Sequence, residues 1–317
     1  MIELLGPDAR FARRALTGEH GVSLPAFIDH HVHLHLIDEH ALPAGGIAAV
    51  LDLGGDPTAL ARRSRETMPH AAYAGAFLTA PGGYPSGKSW APAATVREVS
   101  SASQHPGVPG GAATAVDEQA SCAASVIKVA LHAGAPGVLD PPTLEAIVAS
   151  ARERGLPVVA HVEGEGMTRR ALDAGVDALA HTPFSEWLDG ASIARAVALG
   201  QRWISTLAIH DGVERERAML NLETFARAGG HVLYGTDLGN GERPAGIDVT
   251  ELEALHAAGV RGPSLIAALT AAWPGGVATR GVATFIPGPA PSSDDGIPAW
   301  LAGATVTPIE ELVHDDH

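Results

Sequence analysis

The chain has 317 residues, 46% of them hydrophobic, which suits one large domain or one domain with a small appendage. Aromatics make up only 4% and Ala and Gly are abundant, which favours close-packed α/β layers and argues against an aromatic-rich β-sandwich. Lys plus Arg number 21 against 36 Asp plus Glu, a net charge of −15, so nucleic acid and anionic membrane surfaces are poor partners.

The N-terminus lacks a basic region followed by an apolar stretch, and residues 1–23 read as a mixed flanking segment. Eight apolar runs of strand length follow: 24–28, 47–53, 71–78, 126–131, 157–160, 177–180, 203–207 and 231–234. Near-continuous apolar character is expected of strands buried on both faces. Helical segments lie between them. Pro142 to Arg154 carries Leu144, Ile147, Val148 and Ala151 on one face, opens on Asp140 and two prolines, and stops at Gly155. Glu165 to Ala174, Ser192 to Leu199 and Val213 to Ala228 each end at a glycine. Repeated strand–helix–Gly units predict a parallel α/β fold, and eight of them a (β/α)8 TIM barrel over residues 24–275. An open doubly wound sheet would need a Gly-rich phosphate turn after its first strand, and a histidine cluster stands there instead. The tail, 276–317, is Pro/Gly-rich, with Gly303 to Thr307 a candidate strand outside the barrel. Cys122 is the only cysteine, so no intramolecular disulfide forms, and its apolar surroundings mark it as a small core residue. No run reaches the ~18 apolar residues of a membrane span, so the expected location is the cytoplasm.

Chemistry-bearing residues sit at the ends of these runs: His31 and His33, Lys128, His161, His181 and Asp237. Residues two apart on a strand share a face, so His31 and His33 can reach one ion. A parallel barrel gathers the C-terminal ends of its strands on one face, where such donors converge.

The segment Phe27-Ile28-Asp29-His30-His31-Val32-His33 resembles the Asp-x-His-x-His segment ending the first barrel strand of the amidohydrolase superfamily. Val126-Ile127-Lys128 resembles its fourth-strand lysine, and Val158-Val159-Ala160-His161 its fifth-strand histidine. Ala180-His181-Thr182-Pro183 resembles its sixth-strand histidine, and Tyr234-Gly235-Thr236-Asp237 its eighth-strand aspartate. The likeness spans about residues 24–275 and is strongest to prolidase-like and imidazolonepropionase-like members. It implies a binuclear centre, zinc by default with manganese, iron or cobalt as alternatives: His31, His33 and Asp237 at one ion, His161 and His181 at the other. It implies an N6-carboxylated Lys128 between them. Two close cations would activate a bridging water and polarise the scissile carbonyl, with Asp237 as general acid/base and catalytic residue. Asp29 reads as a structural residue or as one that holds a ligand imidazole in its tautomer.

Many superfamily members carry a β-sandwich built from both termini. Only about 23 residues precede the first strand here, so a reduced flanking β element is expected. Gly82 to Ser89 satisfies the phosphate-loop pattern G-x-x-x-x-G-K-[ST], but Trp90-Ala91-Pro92 cannot open the required helix. The stretch is read as a substrate loop resembling the Thr-x-Gly-Gly loop of prolidase-like members, with Tyr84 and Trp90 as substrate contacts. His132 and His210, near strand ends, read as structural or substrate-facing. The implied function is hydrolysis of an amide, cyclic amide or related C–N bond of a small-molecule substrate. Lactone or ester hydrolysis and deamination are the alternative chemistries, and a catalytically silent metal-binding barrel is the alternative outside enzymes. A homo-oligomer is compatible with all of them.

Overall fold

A computed structural model describes residues 2–275 and 279–314. In chain order, β1 (Arg10–Arg14) and β2 (His20–Pro25) pair antiparallel. The parallel strands then begin with β3 (Phe27–Val32) and β4 (Ile47–Asp52), both buried along their whole length. After α1 (Pro57–Ala61) come β5 (His70–Tyr73), β6 (Phe77–Thr79) and the short edge strand β7 (Val96–Glu98). Alternation then sets in: α2 (Ala112–Ser121), β8 (Ile127–His132), α3 (Pro141–Glu153), β9 (Val158–Glu163), α4 (Met167–Ala174) and β10 (Ala178–Leu179). It continues through α5 (Gly190–Ala198), β11 (Arg202–Ile204), α6 (Gly212–Arg227), β12 (His231–Leu233), α7 (Val249–Ala257) and α8 (Pro263–Thr270). The tail adds β13 (Val282–Pro287), α9 (Ile297–Leu301), β14 (Thr305–Pro308) and β15 (Leu312–His314).

The parallel strands form a three-stranded sheet, β3-β4-β5, and a seven-stranded sheet, β12-β11-β10-β9-β8-β6-β7. They make one TIM-type barrel because two seams join them. At one seam the His30 N–H donates to Tyr234 O (3.0 Å) and the His33 N–H to Leu238 O (2.9 Å), linking the first and last strands. At the other, the run expected over 71–78 is two strands occupying one place in the ring: β5 pairs with β4, and β6 with β8. The break has a local cause. Gly75 takes φ +76° and packs so that a Cβ would meet Gln119 Oε1 at 2.4 Å, and the Ala76 N–H donates to that oxygen (2.9 Å). Ile28, Ala49, Leu51, Ala72, Val159, Ala178, Ile204 and Leu233 form one buried cluster with a residue from most strand positions, as a filled barrel interior requires.

The four helices expected from sequence start and stop within about two residues of α3, α4, α5 and α6. Asp140 caps α3 by accepting from the Thr143 N–H (2.8 Å), and two prolines occupy its first turn. The flanking element is larger than expected, a five-stranded antiparallel sheet ordered β14-β13-β2-β1-β15. Its strands are short, and β1 carries three arginines around a single buried residue, Ala12, so it leaves little apolar signal. The expected barrel boundary at residue 24 falls inside β2. The boundary at 275/276 meets residues 276–278, which lie outside the described residues. Cys122 corrects another expectation: it is half-buried at the end of α2, not a core residue, and its carbonyl accepts from the Tyr73 hydroxyl (2.7 Å). Among the described residues no helix is long and apolar enough to cross a membrane.

Candidate active site

The strand ends bring the six sequence-selected donors to one place. His31 and His33 end β3, Lys128 lies on β8, His161 on β9, His181 follows β10, and Asp237 follows β12. All six are buried, and all line one cavity of about 220 Å³ together with Leu36, Phe77, Tyr84, Trp90 and the Gly239–Gly241 turn. Close approach of the last strand to the first depends on Gly235, where a Cβ would meet Ile204 Cγ2 at 2.3 Å and the His31 backbone nitrogen at 3.2 Å. Asp237 itself adopts a left-handed backbone (φ +55°), an uncommon conformation for a residue with a side chain.

Each imidazole has one nitrogen engaged by the protein. The His31 Nδ1–H donates to Ala180 O (2.8 Å) and the His33 Nδ1–H to Gly54 O (3.2 Å). The His161 Nε2–H donates to Glu163 Oε2 (3.1 Å), and His181 Nδ1 is hydrogen-bonded to Thr206 Oγ1 (2.9 Å). The other nitrogen of each ring is thereby left for the cavity, the arrangement metal-binding histidines use. Asp237 Oδ1 lies 3.1 Å from His31 Nε2 and 3.2 Å from His33 Nε2. Two ligands of a tetrahedral zinc ion stand about 3.3 Å apart at its usual bond lengths. His31 Nε2 and Asp237 Oδ1 are buried without a hydrogen-bond partner, a costly state that a shared cation relieves. The donor set therefore fits a divalent metal.

The electrostatics agree. Burial holds the His31 and His181 imidazoles well below their ordinary pKa, and lowers that of His161, so these rings are neutral donors. His33 differs: burial lowers it, but contact with Asp237 outweighs burial and the net direction is upward. A cation shared with Asp237 would displace that proton. Burial acts to raise the Asp237 carboxyl, yet the surrounding imidazoles of His31, His33 and His181 hold it well below the usual carboxylate range. Burial lowers the Lys128 ammonium to about 7 against the opposing pull of Asp237 and Asp52, which leaves a nucleophilic amine available near neutrality.

Other selected residues fall around this centre. The Tyr84 ring stacks on His161 (4.8 Å between centroids) and lies 5.3 Å from His132, while Trp90 is 6.0 Å from both Tyr84 and His33. His132 does not line the cavity: its Nδ1 sits 2.9 Å from Glu163 Oε2. His210 stacks on Phe184 (4.1 Å), 6.4 Å from His181. No α-helix opens from Gly82 to Ser89, only a 3-10 turn at Ala93–Thr95, and the Gly82 N–H already donates to Glu98 Oε1 (2.8 Å), so the loop lacks the helix N-terminus a phosphate cradle needs. Asp29 takes the structural one of the two roles expected for it. It touches no ligand imidazole; it accepts from the His31 N–H (3.0 Å), the Thr236 N–H (3.1 Å) and the Thr236 hydroxyl (2.6 Å), holding backbone rather than ring. Its carboxyl is pushed up to about 7 by burial. Sequence reading missed Glu163, Thr206 and Asn240, whose Nδ2 donates to Asp237 Oδ2 (2.9 Å). Only Glu163 left a signal, since it lies two residues beyond His161 and so shares its face.

Comparison with known proteins bears on the fold and the family. No curated protein matches the chain. Among solved structures, the chain resembles a Xaa-Pro dipeptidase with bound methionine in the active site at 16% identity and TM-score 0.68, covering 92% of this chain and 87% of that one. It resembles the A. niger ochratoxinase at 19% identity and TM-score 0.63, covering 78% and 70%. It resembles a molinate hydrolase at 14% identity and TM-score 0.64, covering 92% and 83%. At these identities the likeness establishes the fold. The model of the amidohydrolase family matches residues 22–267, most of the chain and every donor described above. The chain is therefore a member of the amidohydrolase family, a group of metal-dependent hydrolases.

Proposed function

We propose that this chain hydrolyses an amide, cyclic amide or related C–N bond of a compact small molecule at a binuclear centre. The observation that carries the reading is the set of four imidazoles, each with one nitrogen fixed by a protein partner, around Lys128 and Asp237. His31, His33 and Asp237 would hold one ion, His161 and His181 the other, and N6-carboxylated Lys128 would bridge them. Imidazole and carboxylate donors suit zinc and also accept manganese, iron or cobalt. When bound, the metal acidifies water and polarises a carbonyl. Asp237 takes a proton from the attacking water at its carboxylate and returns it to the leaving nitrogen. Asn240 orients that carboxylate through Oδ2. Tyr84, Trp90 and Phe77 wall the cavity and exclude water, and its ~220 Å³ lies below the roughly 300–1,000 Å³ of drug-sized sites, hence a compact substrate.

The test is a panel of amides, cyclic amides, lactones and imines, assayed with metal-loaded and metal-stripped protein. Metal-dependent turnover of C–N substrates is expected. Turnover confined to lactones, or to imines with release of ammonia, would replace the reading with esterase or deaminase chemistry. Binding of metal without turnover of any class would leave a silent barrel.

A further inference from the structure

We propose that Glu163 is a positioning residue for the ion held by His161 and His181, and that His132 fixes Glu163 in that role. The inference rests on the two-ion reading above. Strands β8 and β9 are in a register that sets His132 opposite Glu163 and Ala130 opposite His161. Glu163 Oε2 is hydrogen-bonded to His161 Nε2 (3.1 Å), and His132 Nδ1 approaches the same oxygen to 2.9 Å without hydrogen-bond geometry, so one oxygen lies between both rings. A carboxylate can only accept, so His161 must present N–H at Nε2 and keep its lone pair on Nδ1.

This sets His161 apart from the other three rings. His31 and His33 are held by neutral backbone carbonyls and His181 by a hydroxyl. Only His161 is held by a charged acceptor. Such a bond is about twice as strong as a neutral one and makes the ring a better donor. Tyr84 stacks on His161 (4.8 Å between centroids) and lies tilted 5.3 Å from His132, which restricts the rotation of both rings. The ion pairs of Glu163 run to His132 and His161, so its effect on an ion at His31, His33 and Asp237 is indirect.

The experiment is an equilibrium zinc titration against a competing chelator, on the wild-type chain, Glu163→Gln and His132→Gln, with anomalous diffraction to show which ion is lost. Two ions are expected in the wild type. In Glu163→Gln the ion at His161 and His181 should weaken about 10–100-fold while the other weakens much less. His132→Gln should move the same ion by less, and it serves as the second variant should Glu163→Gln fail to fold. Thermal unfolding of the metal-free proteins should be nearly unchanged. Wild-type affinity for both ions in Glu163→Gln would overturn the proposal, as would equal loss of both from a folded variant. A third zinc in the wild type, lost in His132→Gln, would make Glu163 and His132 ligands themselves and would also overturn it. A wild-type chain that binds no zinc would remove the two-ion reading itself.

Discussion

Asp29 and Thr236, 207 positions apart in the chain, meet at 2.6 Å in the seam between the first and last barrel strands. The same carboxylate accepts the His31 and Thr236 N–H groups. One buried group thus fixes the backbone beside two of the proposed metal donors, His31 and Asp237. Asp29→Ala removes the acceptor of two buried backbone N–H groups and of the Thr236 hydroxyl. It should cost about 1–3 kcal/mol in urea unfolding and weaken metal binding at His31, His33 and Asp237. Asp29→Asn keeps an oxygen toward both N–H groups and an amide toward the rotatable hydroxyl, so it should lie nearer the wild type. Unchanged stability in Asp29→Ala would count against the seam as a determinant of the site.

Asp237→Asn removes the proton acceptor but keeps an oxygen toward His31 and His33. Steady-state assays of the metal-loaded variant should show kcat lowered about 10²–10⁴-fold, with most of the metal retained by elemental analysis. Full activity in this variant would remove Asp237 from the proton transfer.

Lys128 is buried with its ammonium lowered to about 7, which suits reaction of the free amine with CO2. Protein loaded with zinc in CO2-depleted buffer should bind less metal and turn over slowly, and added bicarbonate should restore both. Lys128→Ala should behave like the depleted protein and respond to added short-chain carboxylic acids rather than to bicarbonate. Full metal content without CO2 would mean that Lys128 acts as an amine.

The barrel and the six candidate donor positions were legible because each strand is apolar on both faces and each donor stands within or just past such a run. The Asp-x-His-x-His segment carried most of this, since two imidazoles two residues apart have few structural uses. The split at Gly75 was not legible. Ala71 to Leu78 is uniformly apolar, and the break is set by Gln119, more than forty residues away. Thr206 was missed for a related reason: it meets His181 only because β10 and β11 are neighbours, while Glu163, two residues beyond His161, left a spacing signal that went unread. Which of its two expected roles Asp29 takes was not legible, because Asp-x-His spacing cannot say whether the carboxylate reaches ring or backbone.

Glu251 on α7 is fully buried and accepts the Ala208 N–H (2.7 Å), bracing the loop that carries Thr206. Burial pushes its carboxyl up from 4.5 to about 7. The folded chain therefore binds this proton more tightly than the unfolded chain, so its contribution is complete below about 4.5 and is lost as pH rises through about 7. The loss is of the order of 3 kcal/mol. In urea unfolding at a series of pH values, Glu251→Gln should show a flatter decline between pH 5 and 7 than the wild type. Identical slopes would place the proton elsewhere.

The central claim is that His31, His33, Lys128, His161, His181 and Asp237 enclose two metal ions. Anomalous diffraction at the zinc edge from zinc-loaded crystals tests it most directly. Two peaks inside the cavity are predicted, one among His31, His33 and Asp237 and one beside His161 and His181, with density joining both to Lys128. Zinc found only at other sites, or none in the cavity of a fully loaded chain, would contradict the account.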